Sequence, residues 1–561
     1  MENSDVRVRK AIFIPMSIIF SMAVIMGAFF PDHFLKGVNT IVAFANDSFG
    51  WLFLLAAVFF LVACLFLLFS KFGSIRLGGE NAKPEYSNWY WFAISLTAGI
   101  ATGILFWAIA EPIFHFMAPP EVLGLAAGSE AAAMFSMGIS YLHWSFVPYA
   151  MYGICGIGIA YAIYNMNLPY NVSSTLYPIF GKKTQTTVGA VVDNLCLFAM
   201  GGAVAAMLGV ATLAIGAGLE VVFGISQSRM LWLAIMIVIV LSYVISSYTG
   251  LNRGIKWLAD KNSKLFIVMM GFVFIIGPTA FILDLGTQSL GYFLQNFLTL
   301  ATWTSPIEGS SWPQWWPVYY WAIWIAYAPL IGMFLARLAK GRTIRQFMLV
   351  NLILPSFFGI FWFAVFGGTS IYYEIHALSL WDSIQSLGLE VAVFAFLQNL
   401  PFATLLSIGF IFALYISVVT LADSMTNTVA SLSTTAHNQE EKEPPVKIKF
   451  FWGIVMCSLT FVNLARAGDG SFEGIDATKE IATVAGFPTL FLMILMTVAI
   501  LYMIVRREKF DMAYHPETAK ATYDKGEGIL ADIKESMAKP VEMPENKMNS
   551  NEPAFAETEK K

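Results

Sequence analysis

Trp321, Trp324 and Tyr327 recur at three-residue intervals in YYWAIWIAYAPLIG, residues 319–332, a run without a single charge. On a helix that spacing brings rings toward one face. A second group, Trp144, Tyr149 and Tyr152, occupies SYLHWSFVPYAMY, residues 140–152. Ring faces carry negative quadrupole potential, and a cage of them holds a quaternary ammonium at about 0.5–2 kcal/mol per ring without a counter-charge. A methylated cation donates no strong hydrogen bond, so the cage suits it better than a primary amine. Carboxylates are scarce in both segments. Core filler or an interfacial belt is the plainer reading of any single aromatic in a chain with 15% Phe, Trp and Tyr. Several Trp together, beside Pro and Gly, lift these positions above that background.

Stepping out to the elements that must hold the rings, the 561 residues are 57% hydrophobic and 12% charged, against about 25% charged in a soluble domain. The chain is therefore an all-α polytopic membrane protein. A hydrocarbon core of roughly 30 Å takes about 20 helical residues. Apolar blocks of that length fall near 11–32, 50–70, 89–110, 131–164, 188–214, 229–250, 264–286, 317–338, 346–370, 400–435, 449–465 and 485–505, which predicts twelve transmembrane helices. Lys and Arg gather in alternate connections, from Arg7, Arg9 and Lys10 through Arg337, Lys340, Arg342 and Arg345 to Lys442, Lys447 and Lys449. Only Lys36, Arg229, Arg466 and Lys479 fall in the other set. Both termini are thus expected in the cytoplasm. The first block lacks a small-residue cleavage site and reads as a retained span.

The net charge of −4 gives no pointer to nucleic acid. Cys64, Cys155, Cys196 and Cys457 sit inside apolar blocks at no useful spacing and read as small packing residues. No HExxH, GxSxG or His/Asp grouping at ligand spacing points to an enzyme, a metal or a cofactor.

Gly and Pro interrupt two blocks: Gly99 and Gly103 in ISLTAGIATGILFWAIAEP, residues 94–112, and Pro329 and Gly332 in the aromatic run. Interrupted segments at corresponding places in two halves point to an inverted-repeat secondary transporter with its site at the midplane, although Gly99 and Gly103 also form a small-xxx-small packing pattern. The expected organisation is a cytoplasmic N-terminus (1–10), two peripheral spans (11–88), a first five-helix repeat (89–286), an external surface helix (287–316), a second five-helix repeat (317–505) and a cytoplasmic, partly disordered tail (506–561).

YYWAIWIAYAPLIGMFLARLAKGRTIRQF, residues 319–347, resembles the eighth-span signature of the betaine/carnitine/choline transporter family. HWSFVPYAMY is similar to that family's fourth-span motif, FWAIAEP to its third-span end, GLNRGIKWLADKN to the start of its seventh span, and VTLADSMTNTVASLS to its tenth-span segment. The resemblance covers about residues 10–505. It implies a five-plus-five inverted repeat of the LeuT-like kind, a homotrimer among membrane lipids, and alternating-access transport of a small quaternary ammonium substrate such as glycine betaine, carnitine or choline. It places Trp144, Tyr149 and Tyr152 in one half of the cage, Trp324 and Tyr327 in the other, and Trp321 on the access path. Ile323 stands where most members carry a second Trp, and Gly103 where some choline carriers have Asp.

The resemblance also implies where sodium-driven members bind their ions. Those positions read Thr420 and Leu421 in one site and Met200 and Val204 in the other. A hard cation needs several oxygens, and Leu, Met and Val side chains supply none. Transport without sodium, by proton coupling or exchange, is the expectation, with a symporter whose ion sites have degenerated as the alternative. Lys261 or Lys264 could stand in for an ion, as a fixed Arg does in the sodium-independent antiporters; ordinary loop lysines are the plainer reading. Glu111, ahead of Pro112, is expected to finish a helix near the external surface, and His143 to be a satisfied structural group near it too; a proton relay is the competing role for His143. A channel or osmosensory pore is disfavoured by the absence of a repeated filter or a charge ring.

Overall fold

A computed structural model describes residues 6–100, 103–249, 252–376, 380–434, 444–466, 473–525 and 529. The longer helices, numbered in chain order, are α1 (Lys10–Phe29), α2 (Pro31–Phe69), α3 (Asn88–Ile100), α4 (Gly103–Met117), α5 (Glu130–Trp144), α6 (Phe146–Tyr164), α7 (Thr187–Phe223) and α8 (Arg229–Thr249), followed by α9 (Asn252–Ile276), α10 (Thr279–Ala301), α11 (Tyr319–Arg337), α12 (Leu354–Ile375), α13 (Ala403–Leu432), α14 (Val446–Arg466) and α15 (Glu473–Val505). Among the described residues no strand occurs, only isolated bridges between Val8 and Thr434 and between Arg76 and Thr343. Among the described residues, nine helical stretches are long and apolar enough to cross a membrane, or ten if the bent pair α9–α10 is one span. The protein is all-helical and polytopic, as a backbone that must satisfy its own hydrogen bonds in lipid requires.

Three helices differ from the sequence reading. The block expected to run over 264–286 stops at Ile276, and α10 leaves it at 106°. Gly277 and Pro278 stand at the corner, and Pro278 has no N–H with which to continue the ladder. The last block starts earlier than 485: α15 begins at Glu473 and carries Lys479, which had been placed in an external loop, buried within it. The third difference is in the aromatic run itself, where α11 continues from Tyr319 to Arg337 straight through Pro329 and Gly332. Irregular backbone lies just before it instead, as a π-turn over Gln314–Val318 around Pro317.

Gly332 serves close packing in α11. A Cβ there would lie 2.8 Å from Cys155 Sγ and 3.0 Å from the Gly156 backbone nitrogen. On another side a Cβ on Gly486 of α15 would lie 2.2 Å from the Ala322 carbonyl oxygen. Glycines thus let α6 and α15 clamp α11 at backbone contact.

The fourth apolar block is divided by its own proline. Pro148 cannot donate to the Trp144 carbonyl four residues back, α5 ends at Trp144, and Ser145 takes φ −125°, ψ −121° before α6 begins. Gly359 of α12 packs onto the freed carbonyl, where a Cβ would come within 2.4 Å of the oxygen. The kink therefore falls at a cage tryptophan.

Candidate functional site

α4, α5, α6, α7, α11 and α13 surround a cavity with about 810 Å³ of atom-free space, open solvent at its mouth included. Its ring wall comprises Phe106, Trp107, Trp144, Tyr152, Tyr319, Tyr320, Trp324 and Tyr327. Trp324 is the hub: its ring centroid lies 5.6 Å from that of Trp144 at 78° and 5.0 Å from that of Tyr152. Tyr327 is fixed by donating its hydroxyl to the Ala203 carbonyl of α7 at 2.7 Å. Phe363 of α12 stacks on Trp144 from behind at 5.6 Å. Gly103 closes one side, and a Cβ there would lie 3.0 Å from the Trp144 ring. Among the described lining residues none is charged.

Four of the six aromatics singled out from the sequence, Trp144, Tyr152, Trp324 and Tyr327, line this cavity; Tyr149 and Trp321 do not. Tyr149 is buried with its ring 6.0 Å from Trp324, backing the wall. Trp321 is fully buried, with its ring 5.7 Å from His143. Helix geometry explains the difference. At roughly 100° per residue, three-residue steps drift by about 60° each. The face that meets the cavity is Tyr320, Trp324, Tyr327 and Ile331, with Ile323 beside it. Phe106 and Trp107 line the cavity as well and were missed; the signal that could have marked them is the adjacent aromatic pair opening FWAIAEP.

Glu111 overturns the expectation of a surface helix end. It is fully buried, and its carboxylate takes hydrogen bonds from three directions. Oε2 accepts from Trp144 Nε1 at 2.8 Å and from Tyr320 Oη at 2.5 Å, while Oε1 pairs with His143 Nδ1 at 2.6 Å. Two of those donors, Trp144 and Tyr320, are cavity-lining rings. The scarcity of carboxylates in the two aromatic segments thus holds for their sequence but not for the folded site, because α4 brings one in. His115 of the same helix lies 3.8 Å from Oε1. Glu111, His115 and His143 hold ligand atoms within 4.8 Å of one another. The carboxylate is already engaged by its donors, so this is a hydrogen-bonded cluster and not an open ion cradle.

At the positions carried over for sodium, Leu421 lines the cavity and Met200 and Val204 are buried. Thr420 is partly buried. Lys264 is exposed, and the Lys261 side chain lies outside the described residues, as do the surroundings of Gly99. The four cysteines are buried and free.

Residues 11–509 match the profile of the BCCT, betaine/carnitine/choline family transporter. A probable glycine betaine transporter of Desulfitobacterium hafniense is 32% identical over 86% of this chain and 95% of its own length. An ectoine/hydroxyectoine transporter of Virgibacillus pantothenticus is 33% identical over 89% of this chain and 97% of its own length. A glycine betaine transporter of Bacillus subtilis is 31% identical over 90% and 97%. With a match of this extent joined to a polytopic helical fold and an aromatic cavity at its centre, the chain belongs to the betaine/carnitine/choline transporter family.

Proposed function

We propose that this transporter carries small zwitterions or cations with a quaternary or tertiary ammonium group, of the glycine betaine, carnitine or choline type, across the cell membrane by alternating access. The observation that carries the reading is the ring wall around Trp324, backed by a buried carboxyl group one hydrogen bond behind Trp144 and Tyr320. Ring faces replace the weak hydration of a methylated cation, and the carboxylate adds long-range attraction without displacing it. The ectoine/hydroxyectoine relative supports a second reading in which a delocalised cyclic amidinium occupies the same rings. A flat delocalised cation stacks on Trp as readily as a tetrahedral one sits among rings.

The rest of the proposal follows the family pattern. Cytoplasmic termini are supported by the basic connections; twelve spans in a five-plus-five inverted repeat and a homotrimeric assembly are carried over from the family resemblance. Leu421, Met200 and Val204 favour transport without sodium, because side-chain oxygens are missing where a hard ion would need them. The test is uptake of labelled glycine betaine and ectoine by proteoliposomes in sodium-free potassium buffer, with wild type and Trp324→Ala. Wild-type uptake should persist without sodium and Trp324→Ala should lose at least tenfold. Uptake by Trp324→Ala equal to wild type removes the cage, and strict sodium dependence removes the reading of the ion sites.

A further inference from the structure

The Glu111–His143 pair is built like a proton site and not like a finished structural contact. Oε2 of Glu111 accepts from an indole N–H, which can only donate, and from a tyrosine hydroxyl, so the proton of the pair lies between Oε1 and His143 Nδ1. With that proton on Nδ1 the pair is carboxylate and neutral imidazole, and its free acceptor is the far ring nitrogen, Nε2. That nitrogen is fully buried and has no hydrogen-bond partner among the described residues, and the same is true of both ring nitrogens of His115. A buried acceptor of this kind is costly unless something binds it. The pair sits between α4 and α5, with Tyr320 of α11 stacked on His143 at a centroid distance of 4.4 Å.

The charged and titratable neighbours come from each packed element. α4 supplies Glu111 and His115, α5 supplies His143, and α11 supplies Tyr319 and Tyr320. α15 supplies Lys479, whose Nζ lies 4.2 Å from the Trp316 ring centroid and 3.7 Å from Asp476 Oδ1. Lys479 lies beside both Asp476 and the Glu111 cluster, and Glu111 is the carboxylate bonded directly to two cavity-lining rings.

From this geometry we infer that Glu111 and His143 together form a proton-binding site that competes with the substrate's cationic group in the adjoining ring cavity. A proton on His143 Nε2 turns the pair into imidazolium and carboxylate, and its net charge changes from −1 to 0. The ring wall next to Trp144 and Tyr320 then loses its attraction for a cation. When the substrate cation enters, it favours the unprotonated pair, and the proton leaves to water. Binding and deprotonation are thereby linked with equal strength in both directions. Substrate moving one way against a proton moving the other is the exchange this linkage supports. The inference rests on the proposed substrate class and supplies the coupling species that the sodium positions lack.

The experiment uses the full-length purified transporter in weakly buffered detergent solution. Glycine betaine and ectoine are titrated in while a pH indicator reports protons, and Kd is measured from pH 5 to pH 8. Wild type should release protons on binding, and Kd should weaken about tenfold toward the acid end. His143→Asn keeps a donor to the carboxylate but has no titratable nitrogen, so it should bind with a Kd independent of pH and release no proton; Glu111→Gln keeps an acceptor for Trp144 and Tyr320 but carries no charge, so it should bind several-fold more weakly than wild type at pH 8. Wild-type binding with no proton release and a flat Kd overturns the proton site while leaving the substrate assignment standing. No binding of either compound at any pH overturns the substrate assignment itself. Proton release that survives in both variants overturns the assignment of the proton to this pair.

Discussion

Trp144 has two jobs that a ring alone would not have. Its face contributes to the cavity, and its Nε1 donates to a buried carboxylate at 2.8 Å. Trp144→Phe keeps a face of weaker quadrupole and removes the donor, which leaves Tyr320 as the donor to Oε2 among the described residues. A hydrogen bond to a charged group contributes about 1.5–3 kcal/mol, so the variant should lose roughly 2 kcal/mol of stability and bind glycine betaine several-fold more weakly. Thermal unfolding in detergent and isothermal titration check the two halves separately; weaker binding with unchanged stability would mean that the indole N–H contributes nothing. Residue chemistry was readable from the sequence where one helix carried it. Trp324, Tyr327, Trp144 and Tyr152 stand in two short segments, and their enrichment is visible without a fold. Glu111 was not readable as a site residue, because its partners His143 and Tyr320 are 32 and 209 positions away. Only the packing of α4 against α5 and α11 brings the three together. Trp321, expected on the access path, lies off the cavity face for a more local reason, the drift of a three-residue spacing around a helix of 3.6 residues per turn.

At the scale of the element, the order and approximate length of the helices follow from runs of apolar residues, while their breaks depend on which Pro and Gly the neighbours compensate. Pro148 does break its span, because the carbonyl it orphans meets Gly359 of α12. Pro329 does not break α11, although beside Gly332 it marks an interrupted segment in the sequence. Its partner in that reading, Gly332, lies at backbone contact with α6. A hinge and a packing glycine make different predictions. Gly332→Ala puts a methyl where Cys155 Sγ would be 2.8 Å away and the Gly156 backbone nitrogen 3.0 Å away. The backbone of α6 must shift, which costs about 1–3 kcal/mol for an overpacked core site. The melting temperature of Gly332→Ala should fall accordingly. Pro329→Ala, which only restores a helix donor, should match or exceed wild type. If Gly332→Ala instead melts like wild type and loses transport alone, the residue is a hinge and the contact with α6 is loose.

Over the whole molecule, the chain's N-terminal segment is tied across the bundle by one buried ion pair. Arg9 gives Nη2 to Asp193 Oδ2 of α7 at 2.6 Å and Nη1 to the Leu432 carbonyl at the end of α13 at 2.9 Å. Its backbone N–H donates to the Ser433 carbonyl at 2.9 Å. One residue therefore joins the start of α1 to the ends of two helices that line the cavity. The pair is asymmetric, since the Asp193 side chain is 1% exposed and that of Arg9 is 23% exposed. Removing the arginine leaves a carboxylate in an apolar setting, and breaking a fully buried pair costs about 3–5 kcal/mol. The partial exposure of Arg9 lowers this to roughly 2 kcal/mol. Arg9→Ala should lower stability by about that amount, and adding Asp193→Asn should recover most of it because no charge is then stranded. The strap carries a functional expectation as well. Under the proposed alternating access with cytoplasmic termini, a strap between α7 and α13 would resist opening of the cavity toward that side. Arg9→Ala should then raise the rate of glycine betaine counterflow in proteoliposomes even as it lowers stability, whereas the double variant should restore stability and keep the faster exchange. A double variant that regains wild-type stability and also wild-type exchange would show that the strap holds the fold together without restraining the transport cycle.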